Sequence, residues 1–282
     1  MIVVSLFDGK ACGLQALKNA NVKVDEYHAF EIDKYAMEIA KKNHPEIIHH
    51  GSVVNFDFKK FKNADLLIGG SPCQGFSYAG KRLNFEDPRS KLFFEFVRAK
   101  KEINPRNFLL ENVKMKQQNL NIITSMLGVK PVIINSSLVS AQNRLRYYWC
   151  NWEVSQPADR GVTCNDIIVA NDLSVNVDGW QTWWKEKEFF QLQKHYSRII
   201  NDEPKAICMT ARQIASWNGN LVRNENGLRF INCIEAERLQ TLPDGYTEGV
   251  SNTQRYKMIG NGWTVAVIQH IFEELYYRNI FS

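Results

Sequence analysis

Apolar and polar positions along the first 150 residues change period again and again. Residues 2–7 form a continuous apolar run broken only by Ser5, and residues 13–19 restart with helical spacing. Residues 27–32 read as a second strand, and residues 34–42 as a helix behind it. Asp65-Leu66-Leu67-Ile68 reads as a buried strand. In residues 90–101, Leu92, Phe93, Phe96 and Val97 recur at helical spacing. Phe108-Leu109-Leu110 is a strand ending at Glu111-Asn112. Residues 119–127 carry Leu120, Ile123 and Leu127 on one helical face, and residues 132–134 and 146–149 read as two more strands. This βαβα rhythm predicts an α/β fold with a doubly wound, mostly parallel sheet.

The rhythm stops near Trp152. Residues 153–230 are rich in Asn, Trp and other polar residues and predict a smaller domain of poor regularity, its tryptophans Trp180, Trp183, Trp184 and Trp217 chiefly core. Order resumes at residue 230. A last helix presents Val265, Ile268, Phe272 and Leu275 on one face and is expected to pack back on the first domain. The domain boundaries fall at residues 1–152 and 255–282 for the sheet domain and 153–254 for the second domain.

Size and composition narrow the class. With 282 residues and 44% hydrophobic content the chain can build a large core without staples. Its net charge of +5 is compatible with a polyanionic partner. Six cysteines lie far apart with no C-x-x-C pair, which argues against a zinc site and a disulfide scaffold and points to a reducing, cytoplasmic setting. The N-terminus lacks a basic region and reads as a first strand rather than a signal peptide, and no apolar stretch approaches membrane-spanning length. Adjacent His49 and His50 on a strand face opposite ways, so no metal is expected there.

Chemistry concentrates at two turns. In Gly69-Gly70-Ser71-Pro72-Cys73-Gln74-Gly75, a cysteine stands past the carboxyl end of a strand, the edge where open α/β sheets place their ligands. Pro72 fixes its own φ and biases Ser71 to an extended shape, which suits a nucleophile holder. The first strand ends in Phe7-Asp8-Gly9 with Gly13 to follow, a glycine turn of the kind that receives nucleotide-like cofactors. It lacks G-x-G-x-x-G, which disfavours a dinucleotide. Glu31 follows at a distance suited to ribose hydroxyls, with Ile32 beside it to pack on a flat base.

These motifs, with Glu111-Asn112-Val113, Gln142-Asn143-Arg144-Leu145-Arg146, the run from Glu235 to Pro243, and Gly260-Asn261-Gly262-Trp263, stand in an order that resembles the DNA cytosine 5-methyltransferases over nearly the whole chain. The F-D-G turn, the helix around Phe93 and Trp263 are most similar to the de novo animal branch and its bacterial and phage relatives. The resemblance implies a Rossmann-like methyltransferase domain with a target-recognition domain, acting in a bacterial or phage-type host, with restriction-modification as one setting. Ser52 departs from the pattern, standing where the family carries an acid for the adenine amino group. A self-association segment before E-N-V is shortened, so no protein partner is inferred.

The implied reaction moves a methyl group from S-adenosylmethionine to carbon 5 of cytosine in double-stranded DNA, without a metal. Cys73 would add to carbon 6, covalent catalysis that makes carbon 5 enamine-like. Glu111 would meet N3, with burial favouring its protonated form. Arg144 and Arg146 would reach the base carbonyl and position Cys73 or a phosphate. Phe7, Asp8, Gly9, Gly13, Glu31, Ile32, Val53, Pro72, Asn261 and Trp263 would line the cofactor pocket. The target base must leave the duplex. Gln74, Ser77, Arg82 and Arg89, in a lid over residues 74–90, would meet DNA with Gln142. Arg212 and Gln213 are expected to read base edges. A transfer-RNA-modifying relative of this architecture carries a C-F-T signature, absent here. A silent regulatory homologue would lack Cys73 or Glu111, and both are present.

Overall fold

The computed structural model describes residues 1–71, 91–174, 197–213 and 219–281. The chain folds as two compact units, Met1–Ile134 with Leu145–Gln156 and Ile268–Ser282, and Asn135–Arg144 with Pro157–Val267.

The first unit is built on a seven-stranded sheet. Its strands are β1 (Ile2–Leu6), β2 (Glu26–Phe30), β3 (Ile48–His49), β4 (Leu66–Gly70), β5 (Asn107–Val113), β6 (Val132–Asn135) and β7 (Leu145–Cys150), in the order β3-β2-β1-β4-β5-β7-β6. β1 pairs in parallel with β2 and β4, β4 with β5, and β2 with β3, while β7 runs antiparallel to β5. The helices α1 (Cys12–Asn19), α2 (Lys34–Asn43), α3 (Lys91–Ile103) and α4 (Gln117–Leu127) connect them. Near-continuous apolar strands such as β4, with Leu66, Leu67 and Ile68 all at 0% exposure, are what a sheet covered on both faces requires. Phe93, Phe96, Ala99 and Ile103 of α3 join Leu67, Phe108, Leu110 and Trp149 in one buried cluster.

This strand order puts a topological switch between β1 and β4. The chain winds outward one way through β2 and β3 and the other way through β5, so the turns after β1 and β4 flank a crevice at their carboxyl ends. Leu6 pairs with Gly69 there. A Cβ on Gly69 would stand 3.0 Å from the Leu6 carbonyl oxygen and from the Phe96 ring, so only glycine lets α3 sit this close. The two sequence-predicted chemical turns are therefore neighbours by topology.

The second unit contains α5 (Cys233–Leu239), α6 (Asn252–Asn261) and the start of α7 (Val265–Phe281). It is more regular than its sequence predicts. β8 (Ser197–Ile199), β9 (Gly219–Asn224) and β10 (Gly227–Phe230) form a three-stranded sheet, β9 antiparallel to β10 and parallel to β8. These strands are short and polar, so alternation is faint. Their turn is closed by a side chain, the Asn224 Oδ1 accepting from the backbone of Asn226 and Gly227 at 2.9 Å each. The last helix divides: Val265–Val267 belong to the second unit and residues from Ile268 onward to the first, where the Trp152 indole donates to the Ile271 carbonyl at 3.1 Å. The tryptophans at 180, 183, 184 and 217 lie outside the described residues.

Candidate active site

The turn after β1 is held in an unusual backbone shape. Phe7, Gly9 and Ala11 all have positive φ, at 59°, 62° and 65°. A bulky side chain such as Phe7 carries conformational strain there, of a kind concentrated at ligand-binding turns. Asp8 is turned inward by the same shape. Its Oδ1 accepts from Ser5 Oγ and Tyr27 Oη, both at 2.6 Å, while its buried Oδ2 has no hydrogen-bond partner. Burial outweighs those two hydrogen bonds, and the Asp8 carboxyl is pushed up to about 6.

Glu31 follows β2 at the same edge. Its Oε2 accepts from Gly9 N at 2.8 Å, and its Oε1 from Ile32 N at 2.7 Å and Asp33 N at 2.8 Å. These three backbone donors fix the carboxylate and tie the first turn to the second. Ile32 beside it is 76% exposed, an apolar surface at a polar edge. Gly13 is buried in the first turn of α1. Val53 is also buried, and its carbonyl accepts from Arg98 Nη2 at 3.0 Å. The same guanidinium donates to the Phe56 carbonyl and pairs with Glu95 and Glu102, so α3 clamps the loop beyond β3. The sequence reading missed Arg98; its signal was acids three residues before and four after it on a helix. Exposed Ser52 turns its hydroxyl to the loop, Oγ accepting from Val54 N at 3.1 Å.

These residues suit a nucleoside with a cationic substituent. An anchored carboxylate offers lone pairs to ribose hydroxyls, an exposed aliphatic side chain offers a face to a base, and the orphaned Asp8 oxygen offers an acceptor to an ammonium group.

The chemical edge lies one strand across. Register pairs Gly70 with Glu111, three positions before Cys73 in the chain. Asn112 donates through Nδ2 to Ser71 Oγ at 3.1 Å, anchoring the residue two before the cysteine. Arg146 lies opposite Val113 on antiparallel β7, so it shares a face with Glu111, two residues away. Its Nε stands 3.0 Å from Glu111 Oε1, with both side chains largely buried. Pro72, Cys73, Gln74, Ser77, Arg82 and Arg89 lie outside the described residues. Burial pushes the thiols of Cys150 and Cys164 up to about 11, which disqualifies both as nucleophiles at neutral pH.

The remaining predicted residues belong to the second unit, and three of the six, Gln142, Arg144 and Gln213, are turned inward. Arg144 donates to the carbonyls of Met209 (2.9 Å), Gly260 (3.2 Å) and Gly262 (2.8 Å) and to Cys208 Sγ. Its guanidinium is engaged by main chain, not displayed for a base carbonyl. Gln142 is fully buried, donating to the Leu239 carbonyl at 2.6 Å and accepting from Met209 N at 3.1 Å. Gln213 is 1% exposed and donates to the Asn220 carbonyl, which takes it away from base-edge contact in this conformation. Arg212 and Asn261 are exposed, and Trp263 is half-buried.

Residues 1–165 and 155–277 match the family of C-5 cytosine-specific DNA methylases. The chain belongs to that family. The methylase is 30% identical to the type II methyltransferase M1.ScrFI of Lactococcus lactis subsp. cremoris over 284 residues, covering 90% of this chain and 72% of that one. It is 40% identical to the orphan methyltransferase M.SPRI of Bacillus phage SPR over 218 residues, 73% of this chain but 45% of the phage protein. In fold it resembles the Entamoeba histolytica methyltransferase EhMeth, with a TM-score of 0.81 at 17% identity over 99% of this chain and 98% of that one. The S. pombe Dnmt2 methyltransferase gives a TM-score of 0.74 at 21% identity over 99% of both chains. At these identities the structures speak for the fold alone. The family uses S-adenosylmethionine to methylate carbon 5 of cytosine in DNA, and the methylase is a DNA cytosine-5-methyltransferase. No described helix is long and apolar enough to cross a membrane.

Proposed function

We propose that the methylase acts on cytosine in double-stranded DNA, through a transient Cys73 adduct to a base flipped out of the helix. The observation that carries this reading is the junction of β4, β5 and β7, where Glu111 is held by Arg146 opposite Gly70 and Asn112 anchors Ser71. Three strands thus bring together an acid, a guanidinium and an anchored Ser71, the residue two before the cysteine in sequence.

The Cys73 thiolate forms a bond to carbon 6, and the ring's π electrons shift toward N3, where Glu111 shares a proton. Carbon 5 becomes an enamine carbon. Bound S-adenosylmethionine would supply an electrophilic methyl group on its sulfonium. After transfer, which would release the donor as its thioether S-adenosylhomocysteine, the carbon 5 proton passes to water, N3 returns its proton to Glu111, and expulsion of the Cys73 thiolate restores the aromatic ring. The Arg146 charge stands beside the Glu111 carboxyl through this cycle, its Nε 3.0 Å from Oε1. Asp8, Glu31, Ile32 and Val53 would receive the cofactor, with Phe7, Gly9 and Gly13 shaping the turn after β1, and the resemblance adds Pro72, Asn261 and Trp263 to that set. Exposed Arg212 contacts DNA, with Gln74, Ser77, Arg82 and Arg89, while Gln142, Arg144 and Gln213 hold the recognition unit's backbone. No obligate protein partner is inferred, and a cytoplasmic setting fits this reading.

Incubating the protein and S-adenosylmethionine with duplex DNA containing 5-fluorocytosine tests this directly, because fluorine at carbon 5 cannot leave as a proton does. A stable adduct mapping to Cys73 is the expected result. No adduct, or one on another side chain, overturns the assignment. Tritiated methyl transfer compared on duplex DNA and transfer RNA should label the DNA; labelling of the RNA alone would replace the substrate.

A further inference from the structure

We propose that Arg144 and Gly260 are positioning residues that bind the segment around residues 208–213 to the segment around residues 259–263, so that DNA contact and cofactor contact are mechanically linked. This rests on the functional reading above, in which Arg212 faces DNA and Asn261 and Trp263 face the cofactor.

All of the contacts lie within the second unit. The guanidinium of Arg144, 5% exposed, spans the two segments, with Nη1 on the Met209 carbonyl and Nη2 on the carbonyls of Gly260 and Gly262. Gln142 and Gln240 complete the lacing. Gln142 accepts from Met209 N and donates to Gln240 Oε1, and Gln240 Nε2 donates to the Ile259 carbonyl at 3.0 Å. A Cβ added to Gly260 would stand 2.2 Å from the Thr210 carbonyl carbon and 2.5 Å from Ala211 N. The backbone of the recognition segment therefore rests on Gly260 with no room for a side chain. Thr210 lies two positions from Arg212, and Gly260 adjoins Asn261. Displacing either segment must drag the other, or else leave buried hydrogen-bonding groups unpaired.

Linkage makes the coupling reciprocal: DNA that settles the first segment tightens the cofactor's hold on the second, and the cofactor tightens DNA by the same factor. Calorimetry of S-adenosylhomocysteine binding, with and without sonicated unmethylated bacterial DNA, reads the coupling factor. Wild type should bind about fivefold more tightly with DNA present. Arg144→Lys keeps the charge but loses the planar fork that reaches three carbonyls, and Gly260→Ala forces the backbones apart. In both, the factor should fall toward one. Lys205→Met is the stability control. Lys205 Nζ holds the carbonyls of Ser137, Ser140 and Val162, none in the linked segments. It should lower Tm and leave the factor unchanged. Wild-type coupling of one, an undiminished factor in Arg144→Lys, or equal loss in Lys205→Met would each overturn the proposal alone. A wild type that binds no S-adenosylhomocysteine overturns the functional reading and this inference with it.

Discussion

The two units position chemistry by different physical means. In the first, a ladder of seven strands satisfies the backbone, and a large apolar cluster that includes Phe93, Phe96, Phe108 and Trp149 holds the strand ends in register. Polar side chains fix what the ladder leaves free: Asp8 and Glu31 at the turns, Asn112 on Ser71, and Arg98 on the loop beyond β3. In the second, the apolar cluster around the small sheet has, among the described residues, Leu221 and Leu228 at its centre with Ile199 and Phe230 packed against them. Side chains take over the work that ladders perform elsewhere. Arg144, Gln142, Gln240 and Lys205 cap carbonyls, and Glu237 accepts from Gly245 N, Thr247 N and Arg255. Irregular backbone can be buried only when such partners meet it. Substitutions in the first unit's site should therefore cost activity, and those in the second unit's lacing should cost stability first.

The sharpest test on the activity side is Glu111→Gln. It keeps the shape and removes the proton-sharing carboxyl, so kcat should fall roughly 10²–10⁴-fold, the range for a positioned acid or base. Circular dichroism should show an intact fold, and S-adenosylhomocysteine affinity should hold. A collapse of the fold in this variant would break the comparison, by showing that the Arg146 pair is a structural support.

The opposite extreme is the pair of Arg229 and Glu235, at 1% and 0% exposure. It is bidentate with both N···O distances at 2.7 Å. Glu235 also accepts from Asn232 N and Val169 N, so one carboxylate caps α5 and a loop at once. Arg229→Met alone leaves that charge buried and should cost about 3–5 kcal/mol in denaturant unfolding. Replacing Glu235 with Leu in addition removes the stranded charge and should restore part of the loss. No rescue would mean that the caps, not the charge pair, dominate.

How much of this was legible beforehand follows the same division. The apolar runs of β1, β4 and β5 and the spacing of Phe93 and Phe96 announce buried strands and an amphipathic helix, because burial on two faces leaves a period in the sequence. The site turns were legible through glycine and proline. Hidden were features made by distant side chains: the Tyr27 hydroxyl on Asp8, Arg98 under Val53, and the inward Arg144, which as a sequence symbol looks like any exposed arginine. The three-stranded sheet escaped notice because its strands are only three, six and four residues long and carry several polar residues, too short for alternation to show.

Asp8 belongs to the first unit yet behaves like a residue of the second, which makes it an informative exception. Its carboxyl ionises at about 6 in the folded protein against an ordinary 3.8. The folded state thus binds more protons than the unfolded state between those values. Stability must fall as pH rises through that window and stay lower above it. The shift of about two units corresponds to at most roughly 3 kcal/mol. Asp8→Asn should flatten the pH dependence of unfolding between pH 4 and 6 and raise cofactor-free stability at pH 8 by about 1–3 kcal/mol. Affinity for S-adenosylhomocysteine should drop about tenfold, as a charged acceptor for its ammonium is lost. A less stable variant at pH 8 would show that the hydrogen bonds from Ser5 and Tyr27 require the carboxylate.

The smallest expected effect probes whether the first unit's regularity reaches into its site. Gly69→Ala places a methyl group 3.0 Å from the Leu6 carbonyl oxygen and the Phe96 ring. The ring can shift by a few tenths of an ångström, but the carbonyl belongs to β1, one residue before Phe7 in its strained turn. Overpacking should cost about 1–3 kcal/mol. If apolar packing sets the spacing of the two site turns, the cost should divide: a modest fall in Tm, and a rise in KM for S-adenosylmethionine larger than any change in kcat. Replacing Phe96 with Leu in the same protein removes ring atoms from the new methyl group and should return stability while KM stays raised, because the clash with the β1 carbonyl persists. Recovery of both together would place the whole effect in the core and leave the turn indifferent to the strand beneath it.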